Sequence, residues 1–287
     1  GLDVRSLALA PASVNIFKSL QIWDKLATQA TPIQMIHASM KGAFGATRLK
    51  GTFEKPLGFI APLHDIASTI QKNLSTNACY APAQFMALVV ENQTAQIEYQ
   101  GQTIEIRAQC IVVADGGRAW IREQVGLPLE VKHFHQHAVV ANIELARSHQ
   151  CIAYERFTKN GPIAMLPMQG KMVSMVWCVP PEDATKLVSF DDAMFLKELQ
   201  HYFGYRLGRF VRVGLRNVFP LTQAVMPLCV QWPVVFIGNA AHTLHPVAGQ
   251  GFNLALRDVA MLAECFETDG ITATALARYQ ANRVSDH

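Results

Sequence analysis

Several features are missing from this sequence of 287 residues, and each absence excludes a class of protein. The longest apolar stretches, such as residues 85–90, fall short of the ~18 residues that a membrane-spanning helix needs. The 25 basic and 22 acidic residues are mixed along the chain, so no basic block is present to follow a nucleic-acid backbone. No basic start leads into the apolar core of a signal peptide. We therefore expect a cytoplasmic protein with no transmembrane segment and no nucleic-acid partner.

A metal site and a disulfide framework are not expected either. The six cysteines are widely scattered and show no paired spacing. His133, His135 and His137 alternate and would share one face of a strand, but no carboxylate or cysteine stands at a useful spacing beside them. A solvated or hydrogen-bonded histidine face is therefore the preferred interpretation, and we expect no metal.

Apolar periodicity predicts a chain that mixes helices with strands. Half of the residues are apolar, which allows a sizeable core. Residues 12–26, 191–203 and 252–266 have helical spacing, whereas most of residues 87–108 and 138–179 is strand-like. The simplest architecture is a parallel-sheet domain built from separated pieces, with an antiparallel sheet domain inserted into it.

The most informative segment is residues 234–258. A buried strand ends at Gly238-Asn239, a loop containing Pro246 follows, and a helix begins at Gly249-Gln250-Gly251. Glycines let a flat or anionic ligand approach the backbone, and the amides of a helix start favour negative charge. A tight turn that needs glycine for geometry alone is the simpler alternative. The ordered string as a whole favours a ligand.

A second segment, residues 112–122, also places a glycine pair after an apolar strand. Asp115 and Gly116 follow the strand directly, and Arg122 comes shortly afterwards. Taken alone, an Asp-Gly pair after a strand is usually only a turn. Its occurrence together with the first segment favours a shared ligand.

Together these strings resemble the two flavin motifs of the p-hydroxybenzoate hydroxylase-like monooxygenases. The resemblance implies that Gly238 and Asn239 contact the ribityl and pyrophosphate part of FAD and that Pro246 lies beside the flavin ring. The backbone that should stabilise negative charge on that ring belongs to five further residues, Gly249, Gln250, Gly251, Phe252 and Asn253. Asn239 replaces the usual aspartate, which removes a charge but keeps a hydrogen-bond acceptor.

The same resemblance assigns three more cofactor-binding residues. Asp115, Gly116 and Arg122 match a motif near the pyrophosphate that is implicated in using the nicotinamide donor. Ala119 stands where a serine is common, which puts any hydroxyl contact there in doubt. Arg5, before the first helix, resembles an arginine that reaches the flavin; a surface charge is the alternative.

Three middle segments, residues 136–142, 153–158 and 161–167, narrow the resemblance to the 2-octaprenyl-6-methoxyphenol hydroxylase group of ubiquinone biosynthesis. This implies an enzyme that uses FAD, NAD(P)H and O2 to hydroxylate a polyprenylated phenol through a flavin hydroperoxide. No side chain is then required as a catalytic nucleophile. Other ubiquinone-biosynthesis proteins are candidate partners, and peripheral membrane association is compatible with such a substrate. A related flavin epoxidase or reductase and a catalytically silent scaffold remain alternatives.

The resemblance also implies a domain organisation. We expect an α/β fold with a discontinuous Rossmann-like FAD-binding domain (1–31, 61–130 and 222–287) and an inserted, mainly antiparallel substrate domain (32–60 and 131–221). The Gly-x-Gly-x-x-Gly fingerprint of the family is absent from the sequence. We therefore expect the first βαβ unit and the C-terminal helical end to be missing, and FAD to be held poorly without them.

Apolar and aromatic residues of the inserted domain are candidates for an apolar substrate pocket. The weak substrate-binding candidates are Phe157, Met165, Pro167 and Trp177, accompanied by Met168, Met172 and Met175. Ordinary core packing is the alternative for each of them. No two arginines of this region are spaced as a clamp for a small carboxylated substrate, which favours a prenylated phenol.

Overall fold

The computed structural model describes residues 5–74, 79–90, 92–117, 119–243 and 250–284. The chain divides into two compact units. Unit 1 comprises Gly1–Asn73 and His133–Leu221, and unit 2 comprises Leu74–Lys132 and Thr222–His287. Each unit is therefore built from two separated stretches of sequence.

The described residues form strands and helices that are numbered in chain order. The strands are β1 (Ser6–Leu9), β2 (Thr31–Ile33), β3 (Met35–Met40), β4 (Thr47–Lys50), β5 (Gly58–Pro62), β6 (Ala83–Val89), β7 (Thr94–Tyr99), β8 (Gln102–Arg107), β9 (Ile111–Val113), β10 (Glu130–Leu145), β11 (Ile152–Thr158), β12 (Gly161–Pro167), β13 (Met172–Val179), β14 (Phe210–Val213), β15 (Asn217–Val225), β16 (Val230–Gln231), β17 (Val234–Phe236) and β18 (His242–Thr243). The helices are α1 (Pro11–Ser19), α2 (Trp23–Ala27), α3 (Leu63–Asn73), α4 (Ala119–Val125), α5 (Pro181–Ser189), α6 (Asp192–Phe203), α7 (Gln250–Asp269) and α8 (Ala273–Val284).

Most of one large sheet lies in unit 1, where the strands β10-β13-β12-β11-β3-β4 are neighbours in this order and β14 also pairs with β10. Neighbouring strands of this part are antiparallel except for β11 and β3, which run parallel. The predicted antiparallel sheet is thus confirmed. A smaller sheet, in the order β1-β5-β2, belongs to the same unit.

One face of the large sheet packs against α5 and α6. The N-cap Asp191 accepts a hydrogen bond from the Met194 amide at 2.7 Å, and α6 ends at Gly204, where φ is +84°. The buried residues Phe195, Leu199 and Phe203 recur at helical spacing, so they form one inward face. They join the inward residues of β10, β12 and β13 in a single hydrophobic core.

The single helix predicted for residues 12–26 is wrong in detail, since two helices, α1 and α2, occupy this segment. Gln21 lies between them with a φ of +58°, a left-handed conformation that an α-helix does not continue through. The apolar periodicity survives the break, because Phe17 and Leu26 are both buried. Periodicity alone therefore did not reveal the break.

Unit 2 contains a short sheet, β16-β17-β9, and a separate antiparallel sheet, β6-β7-β8. Strand β17 is buried along its whole length, as its continuous apolar run predicts. Strand β9 differs: Val113 is buried, but Val112 is 43% exposed among the described residues. The continuous apolar run of residues 110–114 predicts a strand that is covered on both faces, and the described part of the chain leaves one face of β9 uncovered at Val112.

The α/β fold class is confirmed, whereas the domain boundaries stay a prediction. Residues 1–31 and 61–73, which the resemblance assigned to the FAD-binding domain, fall in unit 1 with the large sheet. Compactness does not test which segments bind FAD. Among the described residues, no helix is long and apolar enough to span a membrane.

His149, in a turn of unit 1, is buried and makes hydrogen bonds through both of its ring nitrogens. Its Nε2 lies 2.7 Å from the Met168 carbonyl oxygen, and its Nδ1 accepts a hydrogen bond from the Cys151 amide at 3.0 Å. Nε2 therefore carries the proton and donates it. Burial lowers the pKa of His149 below its usual 6.5, an effect that the hydrogen bond to Met168 opposes.

We expect His149 to make the protein less stable as the pH falls. The unfolded chain takes up a proton near pH 6.5 and the folded chain does not, so stability is full above that pH and decreases below it. Urea unfolding between pH 8 and pH 5 should show a smaller loss on acidification for His149→Gln than for the unaltered protein. His64→Gln, at a side chain that is 85% exposed, is the control and should not change the slope.

Candidate functional site

The two sequence motifs lie side by side in unit 2. Strands β9 and β17 pair in parallel, with Ile111 opposite Val234 and Val113 opposite Phe236. Both motifs begin where these strands end, so they start at the same edge of the sheet. In open α/β sheets, ligands bind in the crevice outside the carboxyl ends of parallel strands.

The turn after β9 packs directly against the loop after β17. Gly117 has a φ of +94°, and a Cβ atom at this position would lie 2.8 Å from the carbonyl oxygen of Asn239. Asp115 shapes the turn, because its Oδ1 accepts a hydrogen bond from the Gly117 amide at 3.1 Å. A side chain at position 117 would push the two motifs apart.

The loop after β17 is fixed by close packing against α7. Gly238 has a φ of +56°, and a Cβ atom there would lie 3.1 Å from the Cβ of Ala255. Both the backbone conformation and the approach of the helix therefore favour glycine. The side chain of Asn239, the next residue, is exposed.

A buried carboxylate on α7 connects this loop with two other elements. Oδ2 of Asp258 accepts a hydrogen bond from the Gly238 amide at 2.7 Å and lies 2.6 Å from Nε2 of His242 in β18. Its Oδ1 lies 2.6 Å from Nε of Arg283 in α8. Asp258 is fully buried, and His242 and Arg283 are each 2% exposed. We call Asp258, His242 and Arg283 the buried triad.

The surroundings of the triad exclude water. Burial, followed by the charge of Asp258, raises the pKa of the Cys229 thiol to about 11. The pKa of Tyr279 is also raised, again by burial first and by Asp258 second. Both groups therefore stay protonated at neutral pH. The carboxylate thus acts in a dry region, where an unpaired charge would be costly.

Sequence reasoning gave Asp258 no role, although a signal was present. Leu254 and Leu262 are buried on either side of it at a spacing of four residues. Asp258 therefore lies on the apolar face of α7, where a charged residue needs buried partners. Local hydrogen bonding is a more common role than proton transfer for a histidine in such a loop, and His242 has a local partner in Asp258.

The remaining cofactor-binding candidates are placed as follows. Asp115 and Gly116 are exposed at the turn, while Gly251, Phe252 and Asn253 lie at the start of α7, with Asn253 buried. Pro246 and Gly249 lie outside the described residues, as does the side chain of Gln250.

The two candidate arginines have local partners. Arg122 donates through Nη1 to the Leu127 carbonyl oxygen at 2.9 Å, just after α4. Arg5 belongs to unit 1, where its guanidinium carbon lies 5.9 Å from the ring centre of Phe219. The role of both arginines toward FAD stays a prediction.

Gly251 provides a test of whether the site fits a flavin. Its φ lies outside the left-handed region, and a Cβ atom here would meet none of the described atoms within 4 Å. Neither the backbone conformation nor the packing of the described residues requires glycine. An open backbone at the start of a 20-residue helix fits the close approach of a flat, negatively charged ring.

The candidate substrate residues separate into two groups in unit 1. Met165 and Trp177 are buried in the core beneath α6, and the Trp177 ring centre lies 5.3 Å from that of Tyr202. Phe157 is 42% exposed, and Pro167 is buried. Their contact with substrate stays a prediction.

A cleft of about 280 Å³ in unit 1 has a mixed lining of sulfur, apolar and polar groups. Met168 and Met172 line it, as do Ile60, Ser6 and Thr31. The hydroxyl oxygen of Ser6 is shielded from solvent and has no hydrogen-bond partner among the described residues. This cleft therefore combines apolar walls with several polar side chains.

Comparison with known proteins agrees with the geometry. The family described as FAD binding domain matches residues 2–283. The chain belongs to this family. Ubiquinone hydroxylase UbiL of Rhodospirillum rubrum is 33% identical over all of this chain and 69% of its own length. The 3-demethoxyubiquinol 3-hydroxylase of Escherichia coli is 28% identical over 99% of this chain and 75% of its own length.

Solved structures whose names include FAD share the fold. PqsL of Pseudomonas aeruginosa superimposes with a TM-score of 0.80 at 18% identity, over 99% of this chain and 83% of its own. HpxO of Klebsiella pneumoniae, solved with FAD and uric acid, gives a TM-score of 0.75 at 14% identity, over 99% and 76% of the two chains. FAD is the cofactor of this family, as predicted. The roles of individual residues toward FAD stay predictions.

Proposed function

We propose that this chain forms most of a flavin monooxygenase that hydroxylates a polyprenylated phenol in ubiquinone biosynthesis, with NAD(P)H as electron donor and O2 as oxidant. The observation that carries the proposal is the contact between the Asp115–Gly117 turn and the Gly238–Asn239 loop. It joins two motifs at a ligand-binding sheet edge in a chain of the FAD binding domain family. The names of the relatives in ubiquinone biosynthesis support the substrate class.

Bound FAD would supply the oxygen-transfer chemistry, and this chain would orient FAD and substrate and exclude water from them. Asn239, with its exposed amide, would hold the ribityl chain. The start of α7 at Gly251 would leave room for the ring and place partial positive charge beside it. Asp258 fixes the Gly238 amide, so the loop keeps its shape before the cofactor arrives.

The cleft beside Met168 and Met172 supports an apolar aromatic substrate. Its volume of about 280 Å³ lies near the lower end for small-molecule sites and suits an aromatic ring better than a whole polyprenyl chain. Oε1 of Gln169, an exposed residue of the lining, could accept a hydrogen bond from a phenol hydroxyl. We propose that the ring enters this cleft and that the prenyl chain lies outside it.

We expect NAD(P)H oxidation by the FAD-loaded protein to be coupled to hydroxylation of a prenylated phenol or its short-chain analogue. Simple hydroxybenzoates should give little stimulation, because the described lining of the cleft contains Asp65 and no Lys or Arg to pair with a carboxylate. Oxygen consumption and product mass, measured side by side, test this. Efficient hydroxylation of a benzoate without any response to prenylated phenols would contradict the substrate class and leave the flavin chemistry intact.

A further inference from the structure

Two rows of side chains cross the outer strands of the large sheet in unit 1. Strand β3 pairs with β4 on one side and with β11 on the other. The aligned residues form the rows Arg48–His37–Tyr154 and Lys50–Met35–Ile152. Because the rows are two residues apart along each strand, both lie on the same face of the sheet.

Part of this face is buried beneath helices, and part of it lines a pocket. Next to Tyr154, its cross-strand partner Met165 is fully buried in the core beneath α5 and α6. Helix α6 ends at Phe203, and the chain then turns at Gly204 and brings Arg206 over the two rows. The result is a pocket of about 290 Å³ that is lined by the six row residues and Arg206.

Three cations of this pocket have no acidic partner. Arg48, Lys50 and Arg206 form no ion pair with any carboxylate among the described residues. Nη1 of Arg206 lies 3.4 Å from Nε2 of His37, a neutral partner. Concentrated positive charge without a counter-charge opposes folding, so a ligand that neutralises it would be bound favourably.

Three neighbouring cations differ, because each of them already contacts another group of the protein. Arg156 donates to the Tyr202 carbonyl oxygen and to Oγ of Ser39, both at 3.2 Å. Arg147 donates to the Arg206 carbonyl oxygen at 2.7 Å. Lys41 Nζ lies 3.9 Å from the ring centre of Tyr202. The pocket cations are thus distinct from the basic residues around them.

His37 indicates that the pocket is a formed site. It is 5% exposed, and its Nδ1 is shielded from solvent without a hydrogen-bond partner among the described residues. Burial lowers the pKa of His37, and the charges of Arg206, Arg48 and Arg156 lower it further. A buried imidazole that stays neutral under cationic neighbours reports a positive potential in the pocket.

We propose that this pocket binds a phosphate-bearing anion, with Arg48, Lys50 and Arg206 as its charged ligands. Guanidinium groups match phosphate oxygens in pairs, and three cations suit an anion that carries more than one negative charge. Met35 and Ile152 offer apolar surface to an organic part of the ligand. The site lies within unit 1 and does not depend on the proposed oxygenase function.

Calorimetric titration of the full chain with pyrophosphate and with inorganic phosphate tests the proposal. Pyrophosphate should bind, and Arg206→Gln and Arg48→Gln should each weaken binding by about tenfold, the lower range for a charge-assisted hydrogen bond. Lys18→Gln removes an exposed cation of α1 and should leave binding unchanged. Equal losses in all three variants would indicate unspecific charge attraction and would overturn the site.

Vesicle sedimentation separates the two sources of such an anion. Binding to phosphatidylglycerol vesicles, absent with phosphatidylcholine and lost in Arg206→Gln, would assign the pocket to a lipid headgroup. Pyrophosphate binding without vesicle binding would assign it to a free phosphate compound. If the unaltered protein bound neither probe, or if Arg48→Gln and Arg206→Gln retained full binding, the proposal would be wrong.

Discussion

Replacing Asp258 with asparagine is expected to lower the free energy of unfolding by about 3–5 kcal/mol, the usual cost of removing one partner of a buried ion pair. The substitution keeps the shape of the side chain but leaves Arg283 facing a neutral amide in a water-excluded region. Urea unfolding at neutral pH, followed by tryptophan fluorescence, measures the change. Because Asp258 also holds the Gly238 amide, FAD affinity should fall together with stability.

The control for this prediction is Asp269→Asn at the end of the same helix. Asp269 pairs with Arg278 at 2.8 Å, but the Arg278 side chain is 43% exposed. The Asp269 side chain is 18% exposed, so solvent reaches both partners of this pair, and the loss should be smaller than for the fully buried Asp258, at about 1 kcal/mol. Similar losses for the two variants would mean that burial of the triad is not the source of the effect.

Replacing Gly251 with valine is expected to reduce FAD affinity by about ten- to a hundredfold, which corresponds to the 1–3 kcal/mol usual for an overpacked contact. A Cβ atom at this position would meet no described atom outside its own stretch of helix within 4 Å, so the folded apoprotein should tolerate the substitution. Valine also has a higher helix propensity than glycine. Fluorescence titration with FAD and thermal unfolding without FAD measure the two effects separately.

The matched control is Ala277→Val, which adds the same side chain to an exposed position of α8. It should leave FAD affinity unchanged and lower the melting temperature only slightly, because valine is a poorer helix former than alanine. If Gly251→Val retained full FAD occupancy with unchanged affinity, the start of α7 would not be part of the flavin site. A lower melting temperature in the absence of FAD would instead point to a packing role for Gly251.

The two glycine-containing turns could be located from the sequence because their signal is local, whereas their role toward FAD stays a prediction. Gly238 and Gly117 are required by backbone conformations and close contacts that glycine alone tolerates, and such positions can be recognised without a structure. That the two motifs meet was inferred from resemblance. The parallel register of β9 and β17 explains it, since parallel strands end at the same edge.

Long-range partners were beyond sequence reasoning. The pocket of His37, Arg48 and Arg206 joins two paired strands to a loop far along the chain. Arg283 reaches Asp258 from a different helix. Trp177 and Met165, offered as substrate candidates with core packing as the alternative, lie in the core, because apolar character does not say which face of a sheet meets substrate and which meets helices. Contacts between segments that are distant in sequence decide which face meets which.

The interleaving of the two units has a consequence for how this protein reaches its native state. Strand β3 pairs in parallel with β11, and β9 pairs in parallel with β17. In each pair, a stretch of sequence that belongs to the other unit separates the two strands. During synthesis, the β3–β4 hairpin emerges long before β11, and β9 long before β17. Neither sheet can close until much of the chain has been made. Such non-local pairing slows folding and leaves unpaired strand edges exposed while it proceeds. We expect refolding yield to fall steeply with protein concentration and to recover with a chaperone that shields strand edges.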